Sequence, residues 1–203
     1  MRGMTGERET EWVVLDAMGV IYRIGDDLYD LMLPFLRERG CDLPDDLIET
    51  QFFRCSNGDI SSEDMWHECG LDVTDGVDIE FTGRYSINPG AAKTMAALRE
   101  SGVRIACLSN GPVEWSRHLR RRFGLEKWID TWVVSGEVRR SKPDPAIFNI
   151  LLAKTGTRPE KCLFVDDNPR NLATARHMGF QTYLFTTNDS AAQFAQILEL
   201  AKK

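Results

Sequence analysis

The sequence predicts an α/β fold, in which helices wrap a parallel sheet and a helical module is inserted after the first strand. Short apolar runs alternate with longer segments of helical periodicity, which is the pattern of parallel strands joined by helices. The interval between the first two clear runs is much longer than a parallel crossover requires, since about a dozen residues with a helix are enough. These two observations predict the sheet and the insertion.

Five apolar runs predict the strands of the sheet. Each run is short, as expected for a strand that is buried on both faces. The four clear runs and the weaker fifth are Trp12–Leu15, Val103–Leu108, Cys162–Val165, Gln181–Phe185 and Thr131–Val134.

Four helices are predicted between these runs by their start and stop signals. Each begins with a proline and is followed directly by a glycine, which are the residues favoured at the two ends of a helix. Asp144 and Asn168 precede the last two helices, and we expect their side chains to cap the first turns. The helices are Pro89–Ser101, Pro112–Phe123, Pro145–Thr155 and Pro169–Met178.

Residues 24–87 form the predicted insertion, because the helix before the second strand already supplies the crossover. Short helices are predicted inside it at Asp26–Arg39, Pro44–Ser56 and Ser61–Cys69. We therefore expect a core domain of residues 1–23 and 88–203 and a helical domain of residues 24–87. Residues 1–11 are polar and lack the apolar segment of a secretory signal, so we expect a disordered leader there.

Composition excludes several classes of protein. The 203 residues carry 25 Lys and Arg against 31 Asp and Glu, a net charge of −6, which argues against a nucleic-acid partner. No apolar stretch approaches the about 20 residues of a membrane helix, so no membrane association is expected. The five cysteines are odd in number and form no C-x-x-C pair, which favours a reducing, cytoplasmic setting over a disulfide framework or a zinc site.

Polar side chains follow three of the predicted strands. Asp16 follows the run Trp12–Leu15, Ser109 and Asn110 follow Val103–Leu108, and Asp166 and Asp167 follow Cys162–Val165. In an open parallel sheet, ligands bind outside the carboxyl ends of the strands. We therefore expect these side chains to meet at one rim of the sheet.

The chemistry of this rim suits a phosphate ester and a divalent cation. Three carboxylates repel one another, and oxygen ligands of this kind suit Mg²⁺. Ser109 and Asn110 stand before a helix start, where free N–H groups favour an anion. Lys142, just before the third predicted helix, can neutralise charge there, and Asp16 can attack phosphorus.

Four segments resemble the haloacid dehalogenase-like (HAD) hydrolase superfamily: VVLDAMGVIY, NPGAAKTMAALRESGVRIACLSNGP, SKPDPAIF and LFVDDNPRNLATARHMGF. They cover Trp12–Tyr22 and about Asn88–Phe185. The resemblance implies a Rossmann-like parallel sheet with helices on both faces and an inserted small helical cap, which agrees with the insertion at residues 24–87. The short cap and the DDNPRN form are most similar to the phosphatase-type branch of the superfamily.

The resemblance also implies roles for the residues that carry the chemistry. By position, Asp16 resembles the family's nucleophile, which is also a metal ligand. Ser109 and Asn110 resemble its phosphate-binding motif. Lys142 resembles the lysine that holds both the nucleophile and the phosphate.

A metal site is implied by the same resemblance. Asp166 and Asp167 match the family's acidic motif, and Asp167 is the preferred direct Mg²⁺ ligand. Asn171 matches a polar position that supports this site. The backbone carbonyl of Met18, two residues after the nucleophile, is expected to be a further ligand.

Met18 departs from the family pattern, because phosphatases of this family usually carry a second Asp there as general acid and base. A thioether can neither donate nor accept a proton in this way. Loss of the proton shuttle is expected to lower the rate with poor leaving groups by about 10²–10⁴. His67 or Glu68 of the cap is an alternative donor.

The cap is expected to select the substrate. Its side chains Phe52, Phe53, Arg54, Trp66 and His67 are the candidates for lining the underside, and Arg54 for holding a second anionic group. Each of them also has a structural interpretation, as a core aromatic or as a solvated side chain.

These residues together predict Mg²⁺-dependent hydrolysis of a small phosphomonoester through an aspartyl phosphate, with activity reduced by Met18. The expected partner is a small phosphorylated metabolite. Two alternatives stay open. A 2-haloacid dehalogenase needs no second Asp and no metal, so Met18 favours it and the Asp166–Asp167 pair opposes it. A catalytically degenerate member would bind phosphorylated ligands or a protein partner through its cap.

Overall fold

The chain folds around a parallel sheet. A computed structural model describes residues 10–73, 76–186 and 188–202. Its strands are β1 Trp12–Leu15, β2 Arg104–Ser109, β3 Thr131–Val134, β4 Cys162–Asp166 and β5 Gln181–Leu184. All four neighbouring pairs run parallel, in the order β3-β2-β1-β4-β5. The predicted α/β fold with a Rossmann-like parallel sheet is confirmed.

Helices make up most of the remaining described residues. The α-helices are α1 Leu33–Glu38, α2 Asp45–Ser56, α3 Ser62–Glu68, α4 Val77–Thr82, α5 Ala91–Glu100, α6 Val113–Arg122, α7 Ser135–Val138, α8 Pro145–Thr155, α9 Pro169–His177 and α10 Ser190–Ala201. Shorter helical turns of other types lie at Ala17–Ile21, Leu28–Met32, Leu125–Lys127 and Pro159–Lys161. In the described part of the chain, no helix combines the length and apolarity that crossing a membrane would demand.

Helices cover both faces of the sheet, as predicted. On one face, Val13 and Leu15 of β1 belong to a core completed by α5, α6 and α10. On the other face, Trp12 and Val14 belong to a second core completed by α8 and α9. Because side chains alternate along a strand, β1 is buried on both sides, which explains its unbroken apolar sequence.

The predicted side-chain caps of α8 and α9 are present. Asp144 Oδ1 accepts a hydrogen bond of 2.8 Å from the backbone N–H of Ala146. Asn168 Oδ1 accepts one of 2.9 Å from the N–H of Arg170. Each bond satisfies a backbone N–H that has no partner within the helix, so both helices begin where the sequence predicts.

Some element bounds differ from the prediction. The predicted helix Asp26–Arg39 is divided into the wide turn at Leu28–Met32 and α1, whose first turn holds a proline that lacks the N–H of a helix interior. Helix α5 begins two residues after Pro89, because Gly90 has a φ of 92°, which lies outside the helical region.

Three helices, α4, α7 and α10, are absent from the prediction. Helix α10 buries Phe194, Ile197 and Ala201, whose spacing of three and four residues is a helical signal in the sequence. Helix α7 is a single turn, and the six residues of α4 make fewer than two turns. Helices this short give too little periodicity to be recognised without their packing partners.

The predicted leader is wrong in its last two residues. Thr10 is buried, and the backbone N–H of Glu11 donates to the carbonyl of Lys161 at 2.9 Å. The carbonyl of Glu11 accepts from the N–H of Arg104 at 3.0 Å. These residues therefore extend the pairing of β1 on both sides, while residues 1–9 lie outside the described part.

The chain leaves for the insertion and returns from it at one place. Tyr22 and Ile87 form an antiparallel bridge at this junction. The buried Asn88 donates its amide Nδ2 to the carbonyls of Gly19 at 3.1 Å, Val20 at 2.8 Å and Tyr22 at 3.2 Å. The junction lies at the predicted boundaries of residues 24–87, and the division into two domains stays a prediction.

A buried carboxylate lies beside the same junction. Tyr85 donates its hydroxyl to Asp27 Oδ2 at 3.1 Å, and both side chains are buried. Burial raises the pKa of Asp27 to about 6. The hydrogen bond from Tyr85 lowers this pKa, but its effect is smaller than that of burial.

Replacing Asn88 by alanine is expected to destabilise the protein, because three buried carbonyls lose their shared donor. We expect the free energy of unfolding to fall by about 1–3 kcal/mol. Urea denaturation measures this change. Asn149→Ala, at an exposed position of α8, is the matched control. Equal stability of Asn88→Ala and this control would contradict the role given to Asn88.

Replacing Asp27 by asparagine is expected to stabilise the protein more at high pH than at low pH. The folded pKa of Asp27 lies above its unfolded value, so its contribution to stability is present at low pH and is lost as the pH rises through about 6. Asparagine keeps an acceptor for Tyr85 and carries no charge. From about pH 5 to about pH 8, the stability advantage of Asp27→Asn should grow by about 1–1.5 kcal/mol, measured by urea denaturation. The exposed Asp30→Asn should show no such trend.

Candidate active site

Three strand ends meet at one cavity, of about 420 Å³. Asp16 follows β1, Asn110 follows β2 and Asp167 follows β4, and all three line this cavity. The backbone N–H of Asp16 donates to the carbonyl of Val165 at 2.9 Å, so the sheet pairing continues to Asp16. The predicted convergence at the carboxyl rim is therefore present.

Lys142 is the centre of the site. Its Nζ lies 2.7 Å from Asp16 Oδ1 and 2.7 Å from Asp166 Oδ2, and only 1% of its side chain is exposed. Burial lowers the pKa of Lys142, but the two carboxylates outweigh burial and hold its pKa above the ordinary value. The amine is therefore a fixed cation between two carboxylates.

Asn110 fixes the backbone of Lys142. Its Nδ2 donates to the carbonyl of Lys142 at 2.9 Å, and its Oδ1 accepts from the N–H of Lys142 at 2.8 Å. The end of β2 thus determines where the lysine stands. This pair of bonds is a contact that the sequence analysis does not anticipate, since it assigns Asn110 to phosphate.

Asp166 is fully buried and its two oxygens are both hydrogen-bonded. Oδ1 accepts from the N–H of Asn168 at 2.8 Å, and Asn171 Nδ2 lies 3.1 Å from each oxygen. Together with Lys142 these donors hold the carboxylate rigidly. Asn171 is therefore placed beside the acidic motif, as predicted.

Asp16, Asp166 and Asp167 form a candidate metal site. Each offers an oxygen, and these atoms lie within 4.8 Å of one another. One lysine faces three carboxylates, so negative charge is in excess. Carboxylate oxygens are hard ligands of the kind that Mg²⁺ binds, and the residues present therefore fit a small divalent cation.

The proton affinities of the site reflect this excess of negative charge. Burial raises the pKa of Asp16 well above its ordinary value, Lys142 opposes the shift, and the other two carboxylates add to it. Burial and the neighbouring Asp166 raise the pKa of Asp167 to about 6. A bound cation would oppose both shifts, because it favours the ionised carboxylates.

Two glycines let the chain pass close to Asp167. A Cβ at Gly19 would lie 1.9 Å from Asp167 Oδ2, and one at Gly25 would lie 3.2 Å from the same atom. Gly19 also has a φ of 70°, which few other residues adopt. Gly19 has no role among the predicted site residues, although a glycine three residues after Asp16 is the feature of the sequence that permits this close approach.

Met18 lines the cavity and is half-buried. It lies between Asp16, whose Oδ1 accepts from the N–H of Ala17 at 2.6 Å, and the turn at Gly19. Its side chain offers no titratable group, so position 18 supplies no proton to the cavity.

Ser109 differs from its predicted placement. It is the last residue of β2, and its Oγ donates to the carbonyl of Asn110 at 3.2 Å. It lines a smaller neighbouring pocket, whereas Asn110 lines the main cavity. The strand extends one residue further than predicted, which places the hydroxyl beside Met18 in that pocket.

The insertion supplies the other wall of the cavity, through a set of residues that differs from the predicted one. Phe52 and Phe53 line it, as proposed from the sequence. The residues of the insertion that the sequence analysis missed are Gly25, Asp26, Asp27, Leu28, Tyr29, Ser56 and Asn57. Five of these seven, residues 25–29, follow soon after Asp16 in the sequence. This closeness to the end of β1 is the signal that could have identified them.

Arg54, Trp66 and His67 do not line the cavity. Arg54 Nη1 lies 2.5 Å from Glu68 Oε2 on the neighbouring helix, so the guanidinium has a partner there. Trp66 is buried and donates its Nε1 to Asp78 at 2.8 Å, while His67 is exposed. The packing of α2, α3 and α4 against one another decides which way these side chains point, and the sequence alone does not predict that packing.

The chain is similar to known hydrolases. A family model described as haloacid dehalogenase-like hydrolase matches residues 49–198. A phosphoserine phosphatase of Thermus thermophilus is 36% identical over 87 residues, or 43% of this chain and 35% of the relative. The (S)-2-haloacid dehalogenase 4A of Burkholderia cepacia is 31% identical over 97 residues, or 48% of this chain and 42% of the relative. The chain thus matches less than half the length of each.

A solved structure has the same fold. It is that of a HAD family enzyme from Bacteroides thetaiotaomicron, in complex with magnesium and inorganic phosphate. The TM-score is 0.77 at 20% sequence identity, and the match covers 89% of this chain and 96% of the other. The family match extends over most of the chain, and the chain therefore belongs to the haloacid dehalogenase-like hydrolase family.

Proposed function

We propose that this protein hydrolyses a small phosphomonoester in a Mg²⁺-dependent reaction that passes through an aspartyl phosphate on Asp16. The observation that carries the proposal is the buried Lys142 amine, which lies 2.7 Å from both Asp16 and Asp166. A third carboxylate, on Asp167, stands within reach of the same cation site. Such a site offers a nucleophile, a fixed positive charge and room for a divalent cation together.

Asp16 is the nucleophile in this proposal. Its Oδ1 is held by Lys142 and by the N–H of Ala17, two donors that favour the ionised form and fix its direction. A carboxylate oxygen attacks phosphorus, a new bond to phosphorus forms, and the bond to the leaving oxygen breaks. Water then attacks the aspartyl phosphate, releases inorganic phosphate and restores the carboxylate.

Lys142 offsets the charge that gathers around Asp16 and the phosphoryl oxygens. Because the ammonium is already fixed by its neighbours, little reorganisation is needed when that charge develops. Asn110 positions the lysine through both backbone hydrogen bonds. Ser109 and Asn110, just before α6, are the proposed phosphate-binding motif, with Asn110 at the cavity wall.

Mg²⁺ would be held by Asp16, Asp167 and the backbone carbonyl of Met18. Asp166 adds charge to the site, while its oxygens already hold Lys142 and Asn171. When bound, the cation offsets the charge of the phosphoryl oxygens. Asn171 supports the arrangement by fixing Asp166.

The leaving oxygen needs a proton, and Met18 cannot supply it. With no acid at position 18, water would donate this proton in the first step, which suits leaving groups that are stable as anions. The same lack of an acid is the observation that favours the second candidate function, a degenerate member that binds phosphorylated ligands without turnover. The 2-haloacid dehalogenase reaction is a third outcome, since Asp16 can also displace halide from carbon.

Asp16→Asn is expected to abolish phosphatase activity, because an amide oxygen is a poor nucleophile. Turnover of p-nitrophenyl phosphate with Mg²⁺, and its loss in EDTA, is the measurement. Asp42→Asn, at an exposed position, is the matched control and should retain activity.

Three results would contradict the proposal. Unchanged turnover of the Asp16 variant would refute the nucleophile. Halide release from 2-chloropropionate in EDTA would favour the dehalogenase. Mg²⁺-dependent binding of a phosphate analogue without turnover of any ester would favour the degenerate member.

Met18→Asp is expected to reduce the preference for activated leaving groups, because the carboxyl restores a proton donor beside the reacting oxygen. We expect the ratio of kcat/KM for p-nitrophenyl phosphate over a sugar phosphate to fall about tenfold or more. Met18→Leu, which also lacks a titratable group, should keep the high ratio. An unchanged ratio in Met18→Asp would mean that the proton comes from another group.

A further inference from the structure

The cavity has two chemically different ends. At the carboxyl rim of the sheet, the cavity is lined by the Lys142 amine and the carboxylates of Asp16 and Asp167, where the phosphoryl group would bind. The insertion supplies aromatic rings and two more carboxylates, where the rest of the substrate would lie. If the proposed function is correct, the second end selects the leaving group.

Positive charge is scarce in the cavity. Of the described residues that line it, Lys142 is the one basic side chain, and it is already bonded to Asp16 and Asp166. Arg54, the candidate that the sequence offers in the insertion, is bonded to Gln51 and Glu68 and does not line the cavity. A carboxylate or second phosphate on the leaving group would therefore find no counter-charge at this end.

Negative charge is present at the same end. Asp26 lines the cavity, and its Oδ1 accepts a hydrogen bond of 3.0 Å from the N–H of Tyr29, which fixes the carboxylate. Asp27 lines the cavity next to it and is fixed by Tyr85. Two fixed carboxylates repel an anionic leaving group and attract a cationic one.

Two half-exposed aromatic rings complete this end. Tyr29 and Phe53 each leave 50% of their surface exposed while lining the cavity. Phe52 is buried and packs against Phe53, with 5.5 Å between the two ring centroids. Open aromatic faces inside a cavity favour a flat apolar group, because the contact removes apolar surface from water.

We propose that the leaving group of the substrate is uncharged or cationic and has a flat apolar face, which packs against Tyr29 and Phe53 beside the Asp26 carboxylate. This inference rests on the proposed function. It excludes phosphomonoesters whose leaving group carries a carboxylate or a second phosphate, because such a group would lie beside Asp26 and Asp27 with no basic side chain among the described lining residues at that end.

The charge preference is tested with two matched esters, 4-(aminomethyl)phenyl phosphate and 4-(carboxymethyl)phenyl phosphate. Both have the same ring, and a methylene separates the charge from it. We expect kcat/KM to favour the cationic ester by about tenfold. Asp26→Asn keeps the acceptor for Tyr29 and should lower this ratio about threefold, while the exposed Asp30→Asn, which does not line the cavity, should leave it unchanged.

The aromatic contact is tested with phenyl phosphate and methyl phosphate. Phe53→Ala should raise KM for phenyl phosphate about five- to tenfold, with little effect on methyl phosphate. Leu47→Ala is the matched control, since Leu47 lies on the same helix, is 47% exposed and does not line the cavity. Equal effects of the two substitutions on phenyl phosphate would overturn the aromatic part of the proposal.

The outcomes separate this proposal from the proposed function. If the esters are hydrolysed but the anionic one is equal or preferred, the leaving-group proposal is wrong and the phosphatase proposal stands. If neither ester is hydrolysed, the phosphatase proposal fails, and calorimetric binding of the same two esters with Mg²⁺ tests the charge preference alone. Tighter binding of the cationic ester would then support it, and equal binding, tighter binding of the anionic ester or no binding would overturn it.

Discussion

The buried ammonium of Lys142 is the interaction on which the site depends. A buried charge is costly unless partners surround it, and here the partners come from the ends of two different strands, at Asp16 and Asp166. Lys142 can contact both carboxylates only because Asp16 and Asp166 follow paired residues, Leu15 of β1 and Val165 of β4. Asn110 adds the end of β2 to this constraint through the backbone of Lys142. The ion pair can form only when the ends of these three strands are correctly placed. The stability of the ion pair therefore depends on the sheet.

The sheet order explains why distant parts of the sequence meet there. β1 lies between β2 and β4, and all three run in the same direction. Their carboxyl ends are therefore neighbours, although Asp16 and Asp166 are 150 positions apart in the sequence. Asn171 and the N–H of Asn168 then hold Asp166 from the first turn of α9. In this arrangement, the ends of β1, β2 and β4 contribute the functional groups, and at β4 the helix that follows the strand holds Asp166 in place.

This rim could be predicted from the sequence, whereas the opposite wall could be predicted only at Phe52 and Phe53. Asp16 and Asp167 follow apolar runs directly, so locating the strands also locates these residues at the rim. In the insertion, the side that a short helix presents to the cavity depends on its neighbours. Trp66 is an example, because its ring stacks on Trp115 and its Nε1 bonds to Asp78, a residue of the unpredicted α4. The residues that do line that wall follow from tertiary packing, for which a single sequence gives no periodic signal.

Met18 and the aromatic wall are separate observations that point to the same kind of leaving group. Met18 offers no proton donor, while the hydrogen bonds that fix Asp16 and Lys142 are present, so under the proposed function Asp16 would act without an acid at position 18. Such a site works best on an oxygen that is stable as an anion. An oxygen attached to an aromatic ring is more stable in this form than an alkoxide, since a phenol ionises near pH 10 and an alcohol far above it. Tyr29 and Phe53 offer contacts to such a ring. A site that binds aromatic leaving groups therefore loses less from the missing acid than one built for sugars.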